Sequence, residues 1–398
     1  MSAPLPFPPP SRRLRLGFVG GGGGAFIGAI HAGGARLSGR WDVVAGALSS
    51  TPEKSRASGR DWFLAEDRIH DDYVQMARAE AAREDGIDAV AIVTPNHMHE
   101  PAAMAFLDAG IDVICDKPLA PDLAGAMRMA ERAESSGLIF GVTYPYAAYS
   151  MVRQARAMVR DGRLGEIRQI HVEYFQEFGA RMIAENGGVL PWRLDPDRAG
   201  PSWTVADIGT HAVHLASFVS GLPLARVRAD LHVTGEPKPL EDTGLIQARF
   251  GEVPGTIMVS QTAVGTQCGL RLRIFGTEAA LDWCQETGDV LQFTPYDSPT
   301  QTLSSGYAGG LGDQARRLTM MPRGCPEGIM EAWANLYTEF AVAIDARRSG
   351  TPLPGGLLEY ADARTAARGL AFVDAALASQ ASGGWEPVAS IDRQGTRE

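Results

Sequence analysis

From residue 14 to residue 144 the chain alternates continuously apolar runs with segments whose apolar residues recur at helical spacing. The runs are LRLGFV (14–19), WDVVAGALSS (41–50), IDAVAIVTPN (87–96), IDVICDKP (111–118) and LIFGVTY (138–144). Between several of them lie FIGAIHAGGARLSG (26–39), HEPAAMAFLDAG (99–110) and LAGAMRMAERAESSG (123–137), the last two ended by glycine. A strand that is apolar at every position must be buried on both faces, which is the condition of a parallel sheet covered by helices on either side. The pattern predicts an α/β, doubly wound domain of the dinucleotide-binding type over 14–144.

After residue 165 the rhythm changes. IRQIHVEYFQEF (167–178), ARVRADLHVTG (225–235), TGLIQARF (243–250), GTIMVSQTAVG (255–265) and LRLRIFG (270–276) largely alternate apolar with polar residues, and few helices separate them. Alternation means one buried and one polar face, as in an antiparallel sheet. This predicts an α+β domain over 145–325. The helical patterns at 326–350 and 359–379 then predict a C-terminal segment, 326–398, that packs back on both domains. Too few helices are available to cover both faces of the second sheet, so a homo-oligomer, dimer or tetramer, is expected through it. The proline-rich MSAPLPFPPPSRR (1–13) reads as a disordered tail.

Composition narrows the class. Of 398 residues, 45% are hydrophobic and 21% charged, the balance of a globular protein with real cores. A formal net charge of −10 argues against nucleic acid or an anionic membrane surface as partner. No apolar run reaches membrane-spanning length, and none of signal-peptide length follows Arg12 and Arg13, so a cytoplasmic enzyme is expected. Cys115, Cys268, Cys284 and Cys325 show no CxxC spacing, so they read as reduced thiols.

Candidate chemistry begins at GFVGGGGGAFIGAIH (17–31). A dinucleotide turn of the form G-x-G-x-x-G wants Gly20, Gly22 and a glycine where Ala25 stands. Gly28 supplies the third glycine if the turn is three residues longer. The run follows a predicted strand and precedes a helix, the setting of a phosphate cradle rather than of a linker between domains. The pyrophosphate is expected against Gly20–Ile27, including Gly22, Gly24 and Phe26. The acidic residue that binds an NAD ribose at the end of the second strand is missing. Ser49 and Ser50 stand there, with Lys54 and Arg56 beyond, so NAD and NADP both stay open.

Lys117 lies at the carboxyl end of a predicted parallel strand, the edge where such sheets bind ligands, and Pro118 biases it towards extended backbone. It either donates to a substrate oxygen or is a surface lysine. Thr94, Pro95 and Asn96 end the preceding strand in the same way, with His97 read as opening the next helix and His99 close by. In WTVADIGTHAVHLASFVSG (203–221), Asp207 and His211 are four apart and share one helix face, with His214 three further on. Histidine is the usual proton shuttle near neutral pH, and a carboxylate one turn away can orient it. Asp207 can equally be a helix cap. Two histidines and an aspartate also form a metal-ligand set, but no further ligand is evident nearby and no metal is assigned.

Together these stretches resemble the glucose–fructose oxidoreductase / inositol dehydrogenase / MocA (Gfo/Idh/MocA) family, from Leu14 to about Ser379. The family's E-K-P motif appears as Asp116-Lys117-Pro118, its D-x-G-x-H segment as Asp207 to His211, and its T-P-N-x-x-H segment as Thr94 to His99. Its cofactor turn ends at Gly28 and His31, and its W-R pair is Trp192-Arg193. The resemblance implies a Rossmann domain followed by a large, mostly antiparallel open-faced sheet. It implies NAD or NADP as cofactor and a sugar or cyclitol as substrate, oxidised at a ring hydroxyl. Lys117, Asp207 and His211 would be catalytic. Ser49, Ser50, Thr94, Pro95, Asn96, His99, Asp116, Lys117, Trp192 and Arg193 would join the glycine turn at the cofactor. Tyr146, Arg193 and His214 would join the catalytic set at the substrate. Three departures stand out: Asp116 replaces glutamate, His214 replaces an aspartate often found three after the histidine, and an N-Y-R segment reads Pro145-Tyr146-Ala147.

Overall fold

The computed structural model describes residues 7–307 and 309–391. The first sheet is built from β1 (Leu14–Gly20), β2 (Trp41–Ala47), β3 (Ala89–Val93), β4 (Asp112–Cys115) and β5 (Phe140–Val142). These five are parallel, in the order β5-β4-β3-β1-β2. β3 and β4 are buried at every position, as continuous apolar runs require. The helices between them are α1 (Phe26–Leu37), α2 (Pro52–Asp61), α3 (Tyr73–Ala81), α4 (His99–Asp108) and α5 (Leu123–Ser136). Asp122 caps α5 by accepting from Gly125 N at 2.7 Å, and Gly137 ends it at φ 68°. α6 (Ser150–Arg160) leads out of this layer.

The second sheet comprises β6 (Ile167–Phe175), β7 (Leu224–His232), β8 (Thr243–Phe250), β9 (Val253–Ser260), β10 (Gly269–Gly276), β11 (Ala279–Cys284), β12 (Val290–Pro295) and β13 (Gln301–Ser304). Two short C-terminal strands complete the sheets. β14 (Ala361–Asp362) adds antiparallel to β5, and β15 (Glu386–Pro387) adds to β7. The second sheet runs β13-β12-β11-β10-β6-β9-β8-β7-β15 and is antiparallel except where β6 pairs with β9. Burial alternates along β8, β10 and β11, as the sequence pattern predicts. Its buried face packs on α6, on α9 (Thr210–Ser220), which follows the short helices α7 (Met182–Glu185) and α8 (Pro196–Ala199), and on α12 (Ala363–Ser382). Leu245 and Phe275 stand on the other face, 48% and 37% exposed.

Two long C-terminal elements join the layers. α11 (Ile329–Ser349), preceded by α10 (Asp313–Leu318), lays Trp333, Tyr337 and Phe340 into the core under β1 and α1. α12 puts Ala363, Ala366 and Leu370 against the first sheet and Phe372 and Val373 against the second.

Residues 1–6 lie outside the described residues, but the expected tail needs correction over 7–13. Phe7 is buried against Leu318, Val342 and Leu357. The Arg12 guanidinium grips Asp88 with two bonds of 2.7 Å. Burial opposes the charge of Asp88, yet Arg12 and the Arg15 amide hold its carboxyl below the usual range. Among the described residues no helix is long and apolar enough to cross a membrane.

Candidate active site

A cleft of about 840 Å³ runs along the carboxyl ends of β1 to β4 and is closed on its far side by residues 192–207. The position follows from the topology, because helix N-termini and strand-end loops converge at that edge of a parallel sheet.

The glycine run forms one end. Gly20, Gly21, Gly23 and Gly24 all have φ between 63° and 81°, which side-chain-bearing residues rarely adopt. A Cβ on Gly21 would stand 2.9 Å from Gly28 Cα, and one on Gly28 would stand 2.3 Å from Gly21 O. Gly28 therefore packs α1 against the turn, although it lies inside the first turn of α1 rather than ahead of it. Gly20, Gly21, Ala25, Phe26 and Ile27 line the cleft. Gly22 and Gly24 do not. Gly22 N bonds Leu48 O at 3.1 Å and shapes the turn from behind, and Gly24 is exposed. The exposed amides and the close backbone approach fit the diphosphate of a dinucleotide.

Ser49 and Ser50 line the same end, together with Asp71, Asp72 and Tyr73. Those three were not foreseen. Arg56 does not face the cleft as a free cation, because Asp71 holds it.

Thr94, Pro95, Asn96 and His97 form the middle of the wall. Asn96 donates to Ala199 O at 2.9 Å, tying the first domain to the segment across the cleft. His97 lies in a single turn ahead of α4 and lines the cleft as well. His99 is a correction. It is buried behind the wall, with Nδ1 3.0 Å from Pro118 O and Nε2 2.9 Å from Thr94 O, so it clamps two strand-end loops together. His31 is likewise internal, 2.8 Å from the Tyr337 hydroxyl.

Asp116, Lys117 and Pro118 follow β4. Asp116 accepts from the Thr143 hydroxyl at 2.7 Å and the Lys117 amide at 2.9 Å. Burial would raise its pKa, but His31, Lys117 and Thr143 hold the carboxyl well below the ordinary range. Lys117 Nζ reaches Asp207 twice, at 2.5 Å to Oδ1 and 2.9 Å to its carbonyl.

That carbonyl lies in a π-helical turn, Val205–Gly209, where the Thr210 amide bonds back to Val205 O, five residues earlier. The turn begins under a remote cap. Glu241 accepts from Ser202 Oγ at 2.6 Å and from the amides of Trp203 and Val205 at 3.1 Å. Gln261, at the end of β9, donates to Asp207 Oδ2 at 3.0 Å. Asp207 thus holds Lys117 and Gln261, not His211 as the helix-face argument implied. Burial raises the Asp207 pKa, but Lys117 outweighs it and the carboxyl stays ionised below its usual value.

His211 follows Asp207 by one turn, is 6% exposed and interacts with the charges of Lys117 and Asp207, although it is not among the residues that line the cleft. It is buried, and its Nδ1 has no hydrogen-bond partner. The rings of Tyr144 and Tyr146 meet it edge-on, with centroids at 5.4 and 4.8 Å. Burial first, and the Lys117 charge second, push its pKa well below that of a free imidazole, against the opposing pull of Asp207 and Asp116. The ring is therefore neutral at pH 7. Tyr146 spends its hydroxyl on Tyr174, 2.5 Å away, so it supports His211 instead of facing the cleft.

His214 is a further correction. It stacks on Tyr144 at 4.2 Å and faces Phe218 and the cations Arg153 and Arg156, and burial with those charges lowers its pKa to about 3. It does not line the cleft, and it does not gather with Asp207 and His211 into a metal-ligand group. Trp192 and Arg193 do line it, the guanidinium 4.6 Å over the indole, along with Phe178, Arg198 and Trp203, which sequence reasoning missed.

Residues 14–144 match the oxidoreductase family with an NAD-binding Rossmann fold, and residues 152–282 match the GFO/IDH/MocA C-terminal domain. The uncharacterized oxidoreductase YfiI of Bacillus subtilis is 33% identical over 374 residues, covering 92% of this chain and 94% of that protein. An oxidoreductase from Sinorhizobium meliloti has a solved structure with 40% identity and TM-score 0.85, over 94% of this chain and 99% of that one. An inositol dehydrogenase homolog from Azotobacter vinelandii, solved with NADH and myo-inositol, has 33% identity and TM-score 0.87 over 95% and 98%. A Rossmann sheet with its glycine turn, a nine-stranded second sheet and these full-length likenesses lead to one conclusion: the chain belongs to the Gfo/Idh/MocA family of NAD-binding oxidoreductases.

Proposed function

We propose that this protein oxidises a ring hydroxyl of an inositol or pyranose sugar, with NAD as hydride acceptor. The observation that carries the reading is the Lys117–Asp207 ion pair at the carboxyl end of β4, with neutral His211 within its electrostatic reach. The Azotobacter relative solved with NADH and myo-inositol supports the substrate class.

Bound NAD supplies the nicotinamide carbon that takes the hydride from the carbinol carbon. His211 accepts the hydroxyl proton as that carbon becomes a carbonyl. Lys117 has three N–H donors and commits two to Asp207, leaving the third for the substrate oxygen, whose developing negative charge it stabilises. Asp207 fixes that donor and keeps the site balanced in charge. The Gly20–Ile27 turn would hold the diphosphate, and Ser49 and Ser50 would hold the adenine ribose. Thr94, Pro95, Asn96, Asp116, Trp192 and Arg193, which line the cleft, would flank the nicotinamide half. Phe178 and Trp203 offer apolar faces to a sugar ring. The enzyme works in the cytoplasm in this reading.

The test is a panel of inositols, hexoses, glycosides and anhydrosugars with NAD⁺, followed by nicotinamide absorbance. Turnover of at least one polyol is expected. A protein that binds NAD⁺ but oxidises no member of the panel counts against this reading and for its rivals: a keto-sugar reductase, a glycoside-processing enzyme with a transient ketone, or a non-catalytic nucleotide-binding regulator.

The second sheet serves a homo-oligomer in the same proposal, since Leu245 and Phe275 are large apolar residues on its uncovered face. Light scattering at micromolar concentration should give a dimer or tetramer, and a monomer there counts against the assembly.

A further inference from the structure

The sequence lacks the carboxylate that normally follows the second Rossmann strand, yet the structure supplies one from elsewhere. Gly46 and Ile69 form a parallel bridge beside the end of β2, and His70 N bonds Gly46 O at 2.8 Å. The loop is pinned from below. Glu80, fully buried, accepts from Arg68 at 2.5 Å and lies 3.1 Å from His70 Nε2. Ser55 Oγ donates to His70 O at 2.9 Å while accepting from Leu48 N at the same distance. These bonds bring the next residues, Asp71 and Asp72, to the cleft beside Ser49 and Ser50.

Asp71 also disposes of the nearest arginine. Arg56 bonds both carboxylate oxygens, at 2.9 Å to each from Nη2 and 3.2 Å from Nε. The Lys and Arg residues that line the cleft are Lys117, Arg193 and Arg198, and these belong to the opposite end. A dinucleotide carrying a 2′-phosphate would meet two carboxylates at Ser49 and Ser50; of the two cations just beyond them, Arg56 is already taken and Lys54 does not line the cleft. A 2′-hydroxyl, by contrast, can donate to a carboxylate.

We infer that Asp71, not a residue at the end of β2, sets the cofactor preference of this chain for NAD over NADP, by its own charge and by occupying Arg56. The inference rests on the placement of the adenine ribose at Ser49 and Ser50 proposed above. It does not depend on the identity of the substrate.

The experiment is calorimetric titration of NAD⁺ and NADP⁺ into the full chain. The natural protein should bind NAD⁺ at least about tenfold tighter, the scale of one unfavourable charge contact in a half-exposed site. Asp71→Asn, and Asp71→Ser as a second variant, should tighten NADP⁺ by about tenfold, because repulsion falls and the guanidinium is freed. Adding Arg56→Ala to Asp71→Asn should remove most of that gain. Equal affinity of the natural protein for both cofactors overturns the inference, as does an unchanged ratio in both Asp71 variants. A separate variant reports on the placement itself. Ser50 is exposed on the rim, and Ser50→Trp should weaken NAD⁺ several-fold. Unchanged NAD⁺ affinity in that variant refutes the placement and leaves a changed Asp71 ratio without this explanation.

Discussion

His211→Ala should lower kcat by about a hundredfold to ten-thousandfold, the usual contribution of a positioned general base, while NAD⁺ affinity stays nearly constant. The separation follows from geometry, since His211 lies within electrostatic reach of the Lys117–Asp207 pair and is not part of the glycine turn. A pH profile sharpens the expectation. Burial and the Lys117 charge push the His211 pKa well below that of a free imidazole. The base is then protonated only in acid, so the acid limb of kcat/KM should fall below about pH 6.5, the unperturbed histidine value. In His211→Ala that limb should vanish. A variant with near-natural turnover, or a limb that survives the substitution, would show that another group takes the proton.

Lys117→Ala should be comparably severe for a different reason. It removes the donor proposed to face the substrate oxygen, and loss of one such donor typically costs about a hundredfold to a thousandfold in rate. It also leaves Asp207 with only Gln261, so thermal stability should fall, by about 1–3 kcal/mol for a carboxylate whose side chain keeps 28% exposure. The double variant Lys117→Ala/Asp207→Asn separates the two effects. Neutralising the stranded carboxylate should restore melting temperature without restoring rate. The loss should not add to that of His211→Ala, because both residues serve one proton transfer. In Lys117→Ala the remaining acid limb should also move up in pH, since the cation that depresses His211 is gone. Full activity in this variant would end the assignment of Lys117, and an acid limb that stays in place would end its electrostatic link to His211.

Much of the scaffold was legible from periodicity. Ala89–Val93 and Asp112–Cys115 are apolar throughout and lie inside a parallel sheet, while Thr243–Phe250 alternates and has one buried face. The short helices at 52–61 and 73–81 escaped, since α2 is polar at nearly every position and offers little apolar periodicity. β14 and β15 are two residues each, too short for any pattern, and exist only because a sheet edge is waiting for them.

By itself the sequence determined which segments are strands buried on two faces or on one, where the glycine turn at the cleft lies, and which residues end the strands there. Those features are local, because strand burial and glycine backbone freedom are written into neighbouring positions. Tertiary structure alone decided the partners. Asp207 pairs with Lys117, ninety residues away, and with Gln261, while His211 is left to a wall of tyrosines. Glu241 caps a helix start that it follows by nearly forty residues. His99 and His214 carry ionisable rings at positions that look chemical, yet packing turns both away from the cleft. Asp71 reaches the cleft beside Ser49 and Ser50 because a buried ion pair holds its loop against β2. The direction of a side chain and the charge it meets depend on chain segments brought together across long separations, and no local pattern encodes that.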